Sequence, residues 1–372
     1  MIPAITPIAL GYIFATALFA SLIMVPFLQR WGTQQKMLDL PDERKVHRHA
    51  VPRLGGIAIC MAFLFTLLLY VDLSRGMRGI LAGVMIIFAI GVVDDFYGIS
   101  PLRKLFGQIC AVLSTMAVGN LYITNLGDLF GMGEIVLPLW LAIPFTVVAI
   151  VGVVNSFNLI DGLDGLAGGI SAITLVAFGV LAFRSGNVEV QILCVALLGA
   201  MLGFLKYNVF PARIFMGDAG SLVIGFVIGF LALSLTQGSA GEVQPVVPLL
   251  VVGVPVADAL WVMVSRLCAG QSPFAADRSH VHHKFLALGF EHCQTVIAIC
   301  GISLFWAATA LFLRDKPALL LLGCYLVLTL LSYAALNLLP GWRHLLRSPG
   351  REPALVMSES VSYSLVVNRS GR

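Results

Sequence analysis

The 372-residue chain carries an adjacent carboxylate pair, Asp94–Asp95, directly after the apolar run GILAGVMIIFAIGVV. Two carboxylates at such a boundary repel each other and lose hydration. A divalent cation, or a lysine, between them and a ligand makes the pair tolerable. Ordinary helix-end charges in water are the plainer reading. Lys104 follows beyond a turn containing Gly98 and Pro101, so it can fold back towards the pair, or it can be a simple membrane anchor.

A second polar group closes another apolar run: NSFNLIDGLDGLAGG, with Asn155, Asn158, Asp161 and Asp164 at intervals of three. On a straight helix each step of three falls about 60° short of a full turn. Asn155 and Asp164 would point to opposite sides, whereas Asn158, Asp161 and Asp164 span about 120°, which one pocket can accommodate. Gly162 and Gly165 make a break easy there. The stretch reads as a helix end followed by a loop curling under a ligand, with Asn155 turned to the backbone.

Two further motifs fit the same chemistry. In GDAGS (Gly217–Ser221) the glycines let backbone approach a ligand closely. Asp218 there suits a metal ligand or an N-cap, and a helix start also attracts phosphate. Phe215 just before it can stack on a planar base or pack in a core. In RSHVHHKF, Arg278, His280, His282, His283 and Lys284 make a nitrogen-rich run suited to a diphosphate, or a basic surface loop. The spacing matches no familiar zinc site. Together these residues supply carboxylates for a metal, cations for phosphates and glycines for close approach, which is the inventory of phosphoryl transfer.

The elements that must hold them are apolar. The chain is 59% hydrophobic and 11% charged, where an average soluble domain is about a quarter charged. Its apolar blocks have the length of membrane-crossing helices. The expectation is an all-α polytopic membrane protein with about eleven transmembrane helices, near 7–28, 54–71, 79–94, 104–122, 138–157, 166–183, 191–206, 220–236, 245–265, 293–313 and 318–338. A transmembrane barrel would need alternating segments instead. The first block is too long for a signal-peptide core and reads as a retained span.

Eighteen of the 23 lysines and arginines fall on one alternate set of loops together with the tail. The positive-inside rule makes that side cytoplasmic, with the N-terminus outside and the C-terminus inside. All the motifs above lie on that side, while the outer loops are plain. No internal repeat is evident, which argues against a transporter built of two related halves. Residues 1–340 read as one transmembrane transferase domain with cytoplasmic active-site loops, and 341–372 as a mobile cytoplasmic tail. The seven cysteines form no CxxC pair and read as apolar fillers.

In order along the chain, DERKVHRHAVPRLGG, GVVDDFYGISPLRKLFGQ, NSFNLIDGLDGLAGG, FMGDAGS and SPFAADRSHVHHKFLALGF make it resemble the polyprenyl-phosphate N-acetylhexosamine-1-phosphate transferases. The resemblance runs from about Asp39 to Phe290. The H-V-H-H pattern after SPFAADR is similar to the branch that uses UDP-N-acetylglucosamine to begin O-antigen, common-antigen or teichoic-acid chains. The peptidoglycan-precursor branch has three consecutive histidines there.

The resemblance implies attack by undecaprenyl phosphate on the β-phosphorus of UDP-N-acetylglucosamine, with UMP leaving. It implies Mg²⁺, with Mn²⁺ as an alternative, at the inner membrane of a bacterium. It assigns Asp218 and Asn158 to the metal, and Asp94 and Asp95 to the lipid phosphate and the metal. Lys104 goes to the diphosphate, and Asp164 and Phe215 to the uracil. Arg278, His280, His282 and His283 form a loop over the sugar and diphosphate. Asp161 matches an acidic position in the catalytic group. Asp39 and the segment His47–Arg53 belong to the first cytoplasmic loop and border the nucleotide.

The expected partners are therefore a UDP-N-acetylhexosamine, undecaprenyl phosphate and membrane lipid, with no nucleic acid. Enzymes of this type are often dimers, so a homodimer belongs among the expectations. Asp258, inside PVADALWVMV, is an intramembrane carboxylate with no evident partner, functional or structural. Competing readings are the same reaction on another UDP-N-acetylhexosamine, an intramembrane prenyltransferase, and a cation-coupled transporter. The prenyltransferase fits poorly because its aspartates recur every fourth residue, unlike DDFYG and IDGLDG.

Overall fold

The computed structural model describes residues 6–35, 37–39, 50–237, 243–270 and 280–346, with side chains to 336. Arg278, the segment 40–49 and the tail from 347 lie outside the described residues. The chain is mostly helical. In order it forms α1 (Pro7–Gln34), a two-residue strand pair β1 (Leu38–Asp39) and β2 (Val51–Pro52), α2 (Gly55–Tyr70), α3 (Arg75–Tyr97) and α4 (Pro101–Gly119). There follow α5 (Leu139–Ile160), α6 (Leu166–Ser185), α7 (Val188–Asn208), α8 (Gly217–Thr236), α9 (Val246–Val251) and α10 (Gly253–Cys268). The last three are α11 (Val281–Ala287), α12 (His292–Leu313) and α13 (Ala318–Leu346).

Eight of these helices are long and apolar enough to cross a membrane: α1, α3, α5, α6, α7, α8, α12 and α13. The protein is a multi-pass membrane protein. Helices also stand at the three remaining expected positions, each with a reason for falling short of that measure. The α2 helix has only 16 residues. Arg103 and Lys104 occupy the first turn of α4. The block expected at 245–265 is divided at Val252 into α9 and α10.

Local chemistry sets the helix ends. Thr6 accepts from the Ala9 N–H at 3.3 Å and Pro7 opens α1, pairing a side-chain cap with a residue already fixed for the first turn. Ser74 caps α3 through the Met77 N–H at 3.1 Å. Gly98, at φ +62°, ends α3 and sends the chain back as α4.

The core is organised around α8. Of its apolar window 83% is buried, against 22% for α1 and for α13. The peripheral helices keep their apolar faces outward, as lipid-facing helices do. Small residues let helices approach α8 closely: a Cβ on Gly91 of α3 would lie 2.5 Å from the Ala219 Cα. That contact brings the acidic end of α3 against the start of α8. All seven cysteines are free.

β1 and β2 pair antiparallel, Leu38 with Pro52 and Asp39 with Val51. The chain after β2 then bonds to the segment preceding α8. The Phe215 N–H donates to the Pro52 carbonyl at 2.9 Å, Gly55 N–H to Phe215 at 2.9 Å and Gly56 N–H to Met216 at 2.8 Å. This backbone seam fixes Arg53 and Phe215 beside the α8 N-terminus.

Candidate active site

Four helix ends meet at one point. Asp94 comes from the last turn of α3, Lys104 from the first turn of α4, Asn158 from the last turn of α5 and Asp218 from the first turn of α8. The Lys104 Nζ donates to Asp218 Oδ2 at 2.7 Å and Asn158 Oδ1 at 3.2 Å, and it pairs with Asp94 Oδ2 at 3.0 Å. Asn158 Nδ2 donates to Asp218 Oδ1 at 2.6 Å and to Ser221 Oγ at 2.9 Å. The Ile99 N–H holds the other oxygen of Asp94 at 2.8 Å. Each side chain is thus fixed by a neighbour, which preorganises the cluster.

Asp95 faces the same region but is used differently. Its two oxygens accept the Asp218 N–H at 2.8 Å and the Ala219 N–H at 2.9 Å. It therefore caps α8 from a different helix, meeting amides that would otherwise lack partners. Asp218 itself is not the N-cap; Met216 holds that position with no side-chain bond. Gly217 adopts φ +69°, and a Cβ there would sit 2.6 Å from Asp95 Oδ2. Glycine is needed here both for the backbone conformation and for the carboxylate's approach.

Beside the cluster opens a cleft of about 330 Å³, lined by Asp39, Arg53, Asn158, Asp161 to Asp164, Asn208, Phe215 to Asp218, His282, His283 and His292. Asp161 ends α5 and is only partly exposed. Burial, with the nearby charges of Asp218 and Asp95, pushes its carboxyl up to about 7. Asp164 turns one oxygen to the Ala212 N–H at 2.9 Å. Arg53 reaches Asp39 at 3.0 Å. Asn155 leaves the cleft: it bonds to the Val151 carbonyl and exchanges hydrogen bonds with Gln108.

The histidine run separates into two roles. His282 and His283 line the cleft, their ring centroids 4.2 Å apart. His282 packs its ring against Gly162. Burial and the neighbouring histidines lower its pKa to about 3, so it is neutral at pH 7 and supplies no standing charge for a diphosphate. His280 lies outside the cleft lining, buried, with Nδ1 2.8 Å from Asp258 Oδ2.

His292 is a cleft residue that the sequence reading passed over. It stacks on Phe210 with centroids 4.4 Å apart, and its Nε2 lies 3.4 Å from the Asp164 carbonyl. The available signal was a histidine opening an apolar run a few residues past HVHHKF. Asn208 is another: it accepts from the Gly165 N–H at 3.0 Å and donates to the Ile214 carbonyl at 3.0 Å, tying the two motif loops together. Nothing in its sequence context marks it.

The residues suit a hard divalent cation. Among the described residues no three acidic, histidine or cysteine side chains form a ready cage. Two carboxylates and one amide oxygen, from Asp94, Asp218 and Asn158, do converge around a cation, the Lys104 ammonium. An all-oxygen set with one or two carboxylates is the protein share of a magnesium site whose remaining ligands are water and substrate phosphates.

A bundle of apolar helices with this cluster and cleft at one end is the anatomy of a membrane-embedded transferase. Residues 77–236, which carry Asp94, Asp95, Lys104, Asn158, Asp161, Asp164 and Asp218, match the model of glycosyl transferase family 4. The chain is 34% identical to a Bacillus subtilis protein named as a probable undecaprenyl-phosphate N-acetylglucosaminyl 1-phosphate transferase, over 86% of this chain and 88% of that one. It is 33% identical to the undecaprenyl-phosphate alpha-N-acetylglucosaminyl 1-phosphate transferase of Escherichia coli strain K12, over 76% and 77% of the two chains. The Yersinia pestis protein of the same name is 32% identical over 71% and 73%. The chain belongs to this family of membrane glycosyl-1-phosphate transferases.

Proposed function

We propose that the protein transfers N-acetylglucosamine 1-phosphate from UDP-N-acetylglucosamine to undecaprenyl phosphate, releasing UMP and starting a lipid-linked cell-surface glycan. The observation that carries the reading is the meeting of Lys104, Asp94, Asn158 and Asp218 at the edge of a polar cleft, at the ends of apolar helices. The relatives named above support the choice of both substrates.

In this reading Phe215 and Asp164 receive the uracil, Arg53 and Asp39 border the nucleotide, and His282 and His283 cover the sugar and diphosphate with Arg278. Asp94, Asp218 and Asn158 would hold Mg²⁺, or Mn²⁺ in its place, which when bound would offset charge on the phosphate oxygens. Lys104 is held 2.7 Å from Asp218 and 3.0 Å from Asp94. It can exchange those carboxylates for diphosphate oxygens and stabilise the charge passing to UMP. Asp94 is placed to orient the incoming lipid phosphate, and Asp95 keeps the α8 N-terminus in position for both. The bond formed joins a lipid-phosphate oxygen to the β-phosphorus, and the bond broken joins that phosphorus to the UMP oxygen.

The same reading puts eleven helices across the inner membrane of a bacterium. The N-terminus is outside, and the cleft and the C-terminal tail are cytoplasmic, where the nucleotide sugar is. A homodimer is the proposed assembly.

Purified protein with Mg²⁺ should release UMP from UDP-N-acetylglucosamine only when undecaprenyl phosphate is present. A panel of UDP-sugars that all stay inert under those conditions would overturn the proposal. Asp218→Ala should abolish turnover, and a chelator should do the same reversibly. A variant keeping most of its activity would remove Asp218 from the metal site.

A further inference from the structure

The structure gives Asp258 the partners its sequence context hides. It sits on α10, 2% exposed. Its Oδ1 accepts from the Val281 N–H at 2.8 Å and from the Tyr333 hydroxyl of α13 at 2.9 Å. Its Oδ2 lies 2.8 Å from Nδ1 of His280, itself 5% exposed. One carboxylate thus joins three elements: α10, the first amide of α11 and α13. Around it Tyr333 stacks on Trp261 with centroids 4.2 Å apart, and the Lys284 ammonium lies 4.7 Å from the Tyr333 ring. The His280 ring lies parallel to that of His282, within 3°, with centroids 6.0 Å apart.

These contacts reach the cleft in two steps. His280 is the N-cap residue of α11, and α11 carries the cleft residues His282 and His283. A carboxylate opposite Nδ1 is an acceptor, so the ring proton resides on Nδ1 and the Nε2 edge is the one left to the loop. We propose that Asp258 is the positioning residue of the histidine loop: it fixes the tautomer of His280 and pins the first turn of α11, and through that turn it orients His282 and His283 for the diphosphate. The proposal rests on the transferase reading above for the identity of the ligand, but not for the geometry.

Asp258→Asn is the informative variant. The amide keeps the shape and can still accept from Val281 and Tyr333, but it donates to Nδ1 and moves the ring proton to Nε2. Turnover should fall by about 10–100-fold, the usual cost of losing the carboxylate that orients a functional histidine. The KM for UDP-N-acetylglucosamine should stay within about 3-fold, because His280 does not line the cleft. In a His280→Gln background the same change should cost nothing further, since the two residues act as one unit. A purely structural Asp258 predicts a cost that multiplies with that of His280→Gln.

¹⁵N-histidine NMR provides a readout independent of activity, with the His280 signal assigned by its loss in His280→Gln. The wild type should show the proton on Nδ1, and Asp258→Asn should show it on Nε2. Wild-type turnover in Asp258→Asn, multiplicative costs in the double variant, or an unchanged His280 tautomer would each overturn the proposal. If the wild type itself releases no UMP, the transferase reading fails, and the NMR comparison still decides the role of Asp258.

Discussion

Lys104 is the residue on which the site's electrostatics turn. Its ammonium stands between Asp94 and Asp218 and also touches Asn158. Lys104→Met removes the only cation in that contact set and leaves two carboxylates facing each other. UMP release should fall by about 100-fold or more, the usual cost of losing one preorganised donor to developing charge. Steady-state kinetics on protein with an unchanged thermal midpoint would test this, and retained turnover would exclude the role.

Asp161 carries a second residue-scale prediction, concerning pH. Its carboxyl is raised to about 7, so the folded protein holds a proton there that the unfolded chain has lost above about pH 4. Stability from this group is full below the unfolded value and is lost as pH rises through about 7. Without divalent cation, the thermal midpoint should fall between pH 5 and pH 8, and Asp161→Asn should flatten that slope. An unchanged slope in the variant would detach it from Asp161.

Much of the residue inventory was legible because a carboxylate beside lipid is costly and therefore conspicuous. Asp94, Lys104, Asn158 and Asp218 meet as their types suggested. The division of labour was not legible. Asp94 and Asp95 look equivalent in sequence, yet one meets Lys104 and the other caps α8, because adjacent helical residues point about 100° apart. His282 reads as a cation for phosphate but is neutral, since the burial that lowers its pKa to about 3 is set by distant parts of the chain.

At the scale of elements, the site is an assembly of helix ends, and its accuracy depends on how closely those helices approach. Glycine at 91 lets the end of α3 lie against the first turn of α8, 2.5 Å from a would-be Cβ to the Ala219 Cα. Gly91→Val would push the two apart, at a cost typical of overpacking, about 1–3 kcal/mol. Asp94 and Asp95 would move with α3, so activity should fall by more than the loss of folded protein explains. Comparing kcat per folded molecule with the thermal midpoint tests this; loss of stability with normal kcat would show that the separation is not critical. Helix positions were readable from apolar blocks, because lipid demands long helical runs. The break at Val252 and the two-residue pairing of β1 with β2 were not, since Gly253 and Pro255 sit inside one apolar run and two-residue strands are too short to show an alternation.

For the whole molecule, the asymmetry of polar residues implies a direction. Every residue of the lysine–carboxylate cluster stands at a helix end, on the side of the molecule where Arg53, Arg103, Lys206 and Arg213 also stand at or beside helix ends. The opposite ends carry the segment Asn120–Pro138, with its short bridge between Asn125 and Val136. If the positive-inside rule orients the chain, a nucleotide sugar reaches the cleft from the cytoplasm while the acceptor lipid approaches along the bilayer. Single cysteines test this in a background with the seven native cysteines replaced. A membrane-impermeant maleimide added to intact cells with a permeabilised outer barrier should label Asp128→Cys. Arg213→Cys should react only after the inner membrane is opened. Labelling in the reverse order would place the cleft outside the cell, away from nucleotide sugars, and would remove the proposed reaction together with the proposed orientation.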